Sequence, residues 1–334
     1  MVAGSNLYTT SAPDGRQAAI PVSFDAASDP YIQLKDAADI RNYYQQEGYV
    51  VIRNLIPSEL CDQARLAFEQ EVKPFKGHIY RQTTANPEKN IFTEHGYVLN
   101  SLLNIQDLNN KEFPKFKKAG LSIITHKNLQ EAVSTLLGDE GVLVQSMYYE
   151  GNPATWAHQD TYYLDSVELG RMTAAWIAVE DIQPGAGRFY IYPGSHNIDM
   201  AKNGGDFDIA FNHSRYKKLV VDLIKEKQLE CRAPALRKGD VLFWGAKTMH
   251  GSLATSQPEA SRCSFTAHFI PASTDFILFQ KKLKPLDLRK VNAVQIHCPK
   301  DQNKVKNKAV FYVETRFPKT FQFLKRRAIK LLLG

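Results

Sequence analysis

Cysteine is scarce in this chain. Its 334 residues hold four, Cys61, Cys231, Cys263 and Cys298, widely scattered and without a Cys-x-x-Cys pair, so neither a disulfide framework nor a zinc knuckle is indicated. Long apolar runs are missing as well: no stretch approaches the roughly 20 residues that span a bilayer. The first twenty residues lack the positive start and apolar core of a secretory leader. No internal repeat is visible. These absences lead to the expectation of a soluble, cytoplasmic protein in a reducing compartment.

Positive charge exceeds negative, 42 Lys and Arg against 35 Asp and Glu, but the surplus is local. Residues 300–334 contain ten Lys or Arg and two acids, a surplus of eight, which leaves residues 1–299 at about −1. Within that tail Phe317, Phe321, Leu324, Ala328, Leu331 and Leu332 recur at helical intervals, with Lys319, Lys325, Arg326, Arg327 and Lys330 between them. Such a basic amphipathic helix either docks its apolar stripe on the rest of the protein or makes weak peripheral contact with an anionic membrane. Nucleic-acid binding is not expected, because no reader motif or stacking platform accompanies the charge.

With 43% hydrophobic and 11% aromatic residues, the chain can bury one substantial core. Residues 1–30 mix Ser, Ala, Gly, Pro and Asp without periodicity and read as a flexible arm. A main domain is expected over 31–299 and a basic, helical extension over 300–334. Helical composition over Asp36–Glu47 leads into a strand over Gly48–Leu55, and Pro57 and Ser58 start a second helix through about Val72. Residues 76–118 are polar and irregular, with a short helix near Ser101–Asp107, and form a candidate substrate lid. Leu129–Leu137 predicts a helix before Gly138, and strands follow from Val142. Asn197–Glu230 reads as an insertion between strands, with a helix near Leu219–Lys225.

The chemistry is concentrated in His158-Gln159-Asp160, with His250 about ninety residues later and Arg262 twelve beyond that. Two imidazoles and one carboxylate are the ligand set of the facial triad that holds non-haem Fe(II) and leaves coordination positions open. Trp156–Tyr163 reads as an aromatic-rich strand, on which residues i and i+2 share a face. His250 falls between two further strand patterns, Val241–Trp244 and Arg262–Phe269. A sheet sandwich would bring the three together. Arg262 offers a planar guanidinium that can grip a carboxylate through two parallel hydrogen bonds.

These segments, Gln145–Tyr149, Trp156–Asp160, Trp176–Asp181, Tyr192–His196, Gly239–Val241, His250–Ser252 and Arg262, resemble in order and spacing the phytanoyl-CoA dioxygenase family, which includes ectoine hydroxylase. The resemblance spans roughly residues 35–272. It implies a mainly β protein with flanking helices, built on a double-stranded β-helix, a jelly-roll and cupin-like core, over about 142–272. It further implies a dioxygenase that takes Fe(II), 2-oxoglutarate and O2. His158, Asp160 and His250 would bind the iron, Arg262 the distal carboxylate of 2-oxoglutarate, and Gln145 and Ser252 would hydrogen-bond the co-substrate. Family members that halogenate have a small residue in place of the aspartate, so Asp160 favours hydroxylation. The alternatives are a metal-binding barrel with other chemistry or no turnover, and a non-catalytic surface-binding protein.

One stretch departs from the family pattern. Ala186-Gly187-Arg188-Phe189-Tyr190-Ile191-Tyr192 stands where the family usually reads Asn-Gly, a small residue or proline, then leucine before Pro-Gly-Ser-His. Arg188 is therefore a candidate for an acidic group of a small-molecule substrate if it points inward, or a solvated cation if it points outward. Tyr162, Tyr163, Tyr80, Arg81 and His95 are further candidates for the pocket wall. His196 reads as part of a structural turn, and His78, His126, His213, His268 and His297 lack ligand partners at suggestive spacing.

Overall fold

Residues 6–321, 323 and 327 are described by the computed structural model. The chain opens on a hairpin of β1 (Leu7–Ser11) and β2 (Gln17–Pro21), which corrects the flexible arm expected over residues 1–30. Ala12, Ala18 and Ile20 are buried in one apolar cluster with Tyr190, Tyr192 and Met249. Only alternate residues of β2, Ala18 and Ile20, face inward, so the strand buries little apolar side chain.

Helix α1 (Ala37–Glu47) begins where the Asp36 carboxylate accepts the Asp39 N–H and ends at Gly48, whose φ of 79° only glycine adopts without strain. Strand β3 (Tyr49–Ile52) and helix α2 (Ser58–Ala67) follow as expected, and α2 continues into a wide turn over Phe68–Val72. Helix α3 (Pro114–Ile124) was hidden at the end of the irregular stretch. It starts on a proline, which suits the first helical position, and buries Phe116, Ala119, Gly120, Ile123 and Ile124. Helix α4 (Lys127–Leu137) closes at Gly138.

The core strands are β4 (Gly141–Tyr149), β5 (Thr155–His158), β6 (Thr173–Ala178), β7 (Phe189–Ile191), β8 (Val241–Gly245), β9 (His250–Ser252) and β10 (Ser264–Pro271). β4, β10, β6, β8 and β3 line up in that order as antiparallel neighbours in one sheet, and β7, β9 and β5 form a second. From β4 to β10 the chain thus crosses between the sheets at every step. That alternation is the double-stranded β-helix, as the resemblance implied.

Each face of the larger sheet has its own task. Tyr148 and Phe265 point outward into a cluster with Phe68 of the wide turn and Phe116 of α3, at centroid separations of 4.5 to 6.1 Å. The alternate residues, Met147 and Tyr149 on β4, Trp176 on β6, Trp244 on β8, and Thr266 and His268 on β10, face the interior by register. The helices anchor the wall on which the site is built.

Between β7 and β8 the insertion carries α5 (Ile209–Glu226), longer than the expected Leu219–Lys225. After the core, β11 (Leu288–Val291) and β12 (Val294–His297) form a hairpin whose second strand runs parallel to β4. Helix α6 (Val305–Arg316) then docks on the domain: its buried Glu314 accepts the Tyr80 hydroxyl at 2.7 Å, and Phe311 meets the Tyr80 ring edge-on at 5.3 Å. Leu324, Ala328, Leu331 and Leu332 of the expected stripe lie outside the described residues. Among those described, no helix is long and apolar enough to cross a membrane.

Candidate metal and co-substrate site

β5 and β9 are hydrogen-bonded neighbours, and their register places His158 directly opposite His250. The imidazole centroids are 4.4 Å apart. In both rings Nδ1 bonds a backbone carbonyl two residues earlier, Trp156 O and Thr248 O, at 2.9 Å. When a metal binds, donation of Nδ1–H to these carbonyls selects the tautomer whose Nε2 lone pair faces the ion. The two Nε2 atoms stand 3.6 and 3.5 Å from Asp160 Oδ1.

Asp160 reaches that point in a way the sequence did not indicate. β5 ends at His158 rather than continuing to Tyr163, and Asp160 opens a tight turn over Asp160–Tyr162. Gln159 keeps extended backbone angles, so the two-residue alternation survives just long enough. The Gln159 side chain donates to Lys247 O and its N–H donates to the Tyr216 hydroxyl, which holds the turn against α5.

The Asp160 carboxylate is fully buried and held well below the usual range. Burial alone would raise it, but the imidazoles of His250, His158 and His268 outweigh burial. Its second oxygen is fixed by Trp244 Nε1–H at 2.9 Å and lies 3.4 Å from His268 Nε2. Trp244 and His268 contact the site through Asp160, which their sequence positions did not single out. The signal existed for His268: it lies six residues after Arg262 on an alternating strand, and an even offset puts both on one face.

His158, Asp160 and His250 offer ligand atoms that all lie within 4.8 Å of one another. Three ligands about 2.1 Å from one ion and at right angles to each other would be separated by about 3 Å. The donor set is therefore nearly closed around a metal position. Phe189 stacks on His250 at 5.4 Å and 20°, and Trp244, itself 4.7 Å from Phe189, packs 4.8 Å from the imidazole. These contacts fix the imidazole plane.

Arg262 lies two residues before β10, only 2% exposed. Its guanidinium sits 5.1 Å from the Tyr149 ring centroid and 6.0 Å from that of Trp176. Nε has no hydrogen-bond partner, and among the described residues no carboxylate comes within ion-pair reach. Burial pushes its pKa down to about 10. A buried, unpaired cation is costly unless something outside the chain neutralises it. The carboxylate of a keto acid fits that requirement.

Gln145 is the register partner of His268 and shares the interior face with Met147 and Tyr149. The other candidates divide. Tyr163 stays at the site, its ring edge 5.8 Å from His158 by centroid. Tyr162 turns away, buried beside Tyr216 with its hydroxyl on Gly205 O. The Ser252 hydroxyl donates to Asn152 Oδ1 and accepts from the Thr155 N–H, so it braces β5 rather than facing the co-substrate freely. Arg81 is spent on Asn100 O, Glu88 O and Asn90 Oδ1. His95 is exposed on a turn, and the Tyr80 hydroxyl is taken by Glu314.

Arg188 requires the largest correction. It is buried, but its donors go to backbone carbonyls of Ile182, Pro21 and Val22. It clamps the amino-terminal hairpin to the barrel, leaving no fork for a substrate anion. His196, as expected, is structural: its Nε2 bonds Gln45 O at 3.0 Å.

Residues 44–262 match the family model for phytanoyl-CoA dioxygenase. The chain belongs to that family. Among curated proteins it is similar to the phytanoyl-CoA dioxygenase domain-containing protein 1 of Danio rerio, 26% identical over 267 residues, covering 68% of this chain and 87% of the relative. The peroxisomal phytanoyl-CoA dioxygenase of Homo sapiens is 22% identical over 250 residues, covering 71% and 69%. Among solved structures, the non-heme alpha-ketoglutarate-dependent carbocyclase SnoK superposes with a TM-score of 0.53 at 19% identity, covering 74% of this chain and 87% of that one. EctD from S. alaskensis, solved with 2-oxoglutarate and 5-hydroxyectoine, gives 0.51 at 15%, covering 88% and 96%. These two establish the fold. Family membership and the His158, Asp160, His250 cluster agree on a non-haem iron, 2-oxoglutarate-dependent oxygenase.

Proposed function

We propose that the protein hydroxylates a small or medium organic substrate, with release of succinate and CO2. The supporting observation is the pairing of the ligand cluster with a buried guanidinium that has no anion of its own. His158, Asp160 and His250 would hold Fe(II), Arg262 would bind the distal carboxylate of 2-oxoglutarate, and Gln145 lies on the same interior face as a further polar contact. Bound iron supplies oxidation of a C–H bond by O2, with one oxygen atom going to the product and the other to succinate. The surrounding side chains orient and insulate: Trp244 and His268 hold Asp160 with one oxygen toward the imidazoles, and Phe189 and Trp244 screen His250 from water. Asp160 fills the position that a halide would need, which favours hydroxylation over halogenation.

A metal-binding barrel without oxygenase turnover has no use for Arg262, and that residue weighs against it. Four free cysteines, three of them buried, suit a reducing compartment, and a cytoplasmic location is part of this proposal. The test is succinate release from 2-oxoglutarate with and without Fe(II), followed by incubation of the iron-loaded enzyme with labelled dioxygen and an extract of its source. Iron-dependent succinate together with a newly labelled metabolite is expected. Iron binding with no 2-oxoglutarate turnover in any extract would favour the second reading.

A further inference from the structure

The face of β5 that carries His158 also carries Trp156, two residues earlier, and their ring centroids are 5.1 Å apart. β5 is an edge strand of the smaller sheet, so this face borders the opening between the sheets. Helix α5 leans over that edge. His213 bonds the Tyr163 hydroxyl at 2.9 Å and stands 5.2 Å from the Trp156 ring, and Lys217 holds Nζ 4.6 Å from the centroid of the same indole. Lys217 is thus two short steps from a metal ligand.

The insertion and its rim contain acids, and three of them are taken by other cations. Lys218 pairs with Asp222 at 2.5 Å, Lys202 with Asp199 at 3.4 Å, and Lys281 with Asp208 at 3.6 Å. Among the described residues no carboxylate lies within ion-pair reach of Lys217. Its only described partner is the indole face, and that interaction leaves the ammonium free to accept an anion. A second feature marks the same rim: Phe279 and Gln280 both have positive φ, 53° and 58°, and the Phe279 N–H is tied to Tyr163 O at 3.0 Å. These two residues turn the hairpin loop after Leu278, and the bond to Tyr163 holds that loop at the rim.

Arg262 serves the co-substrate from inside the barrel, so a second cation at the mouth has a different client. We infer that Lys217 is the anion seat for the prime substrate, which is an organic acid. Its carboxylate or phosphate rests on the ammonium while its apolar body lies along Trp156 and Tyr163 toward His158. This rests on the oxygenase reading above and replaces Arg188 as the charge that selects an acidic substrate.

The test uses iron-loaded protein under nitrogen, saturated with 2-oxoglutarate and titrated by calorimetry with four probes of equal chain length: octanoate, octyl phosphate, octan-1-ol and octylammonium. At least one of the two anions should bind tenfold or more tightly than the alcohol, and the ammonium should bind weakest. Lys217→Ala should remove that advantage while leaving the alcohol unchanged, and Lys217→Arg should restore it; circular dichroism checks that both variants fold. The better anion also identifies which head group is recognised. Equal binding of anion and alcohol, no binding of either anion, or an Ala variant that binds the anion normally would overturn the inference. Repeating the titration on metal-free protein separates the two readings: a protein that binds octanoate through Lys217 but never binds iron sinks the oxygenase proposal and keeps the anion seat.

Discussion

At the scale of single residues the site is a set of unequal commitments. Arg262 is buried without a partner, so its replacement separates binding from stability. Arg262→Lys keeps the charge and loses the planar fork, and the KM for 2-oxoglutarate should rise about 10- to 100-fold with a smaller change in kcat. Arg262→Leu should abolish 2-oxoglutarate binding by calorimetry, yet in the absence of co-substrate it should melt no lower than the parent, because a costly buried cation has been removed. Trp244 acts through Asp160: its Nε1–H is the 2.9 Å contact to the oxygen turned away from His158 and His250. Trp244→Phe keeps the ring and loses the donor, so affinity for a probe ion such as Co(II) should fall about 10- to 100-fold. An unchanged Co(II) affinity would show that the indole only fills space.

At the scale of elements, much of the design was legible and the failures have physical reasons. The helix over Asp36–Glu47, the strand after Gly48 and the barrel strands were readable because caps, glycines and alternation agree there. Helix α3 was missed because it follows a long polar segment, although its apolar face is plain once Pro114 is taken as its start. The hairpin of β1 and β2 was missed because two short strands bury only a few small residues, too little apolar signal to stand out from a loop. The metal ligands were legible as a pattern. The roles of Arg188, Tyr162 and Ser252 were not, since hydrogen bonds to backbone atoms distant in sequence decide them.

Another buried group that the proposed chemistry does not use is Asp107, in a short helical turn over Ile105–Asp107. Burial pushes its carboxyl up to about 7, against opposing hydrogen bonds from the Lys300 N–H and Asn104. The folded protein therefore holds this proton more tightly than the unfolded chain does. Its contribution to stability is intact at the low end and is lost as pH rises from about 4 through about 7. Asp107→Asn should leave the melting temperature little changed at pH 4 and raise it progressively up to about pH 8. Parallel melting curves for the two proteins across that range would rule the assignment out.

At the scale of the whole molecule, the basic extension begins inside the domain. Its first helix is part of the domain through Tyr80, Phe311 and Glu314, and Tyr80 packs in turn beside Met147 and Leu103. Truncation after Lys304 should lower the melting temperature by several degrees, of the order produced by losing one or two kcal/mol, whereas truncation after Arg316 should leave it within a degree or so. If the segment beyond Arg316 serves a membrane, the second truncation should also abolish sedimentation with anionic liposomes. Full-length protein that never sediments with them would exclude that role.

The opposed placement of His158 and His250 carries a consequence for the protein's lifetime. An ion held by both joins points about ninety residues apart in the chain, and restraining so long a loop disfavours the opened state as a removable staple would. Scarcity of iron would then shorten the survival of the protein as well as silence it, and a cell could regulate its abundance through the metal alone.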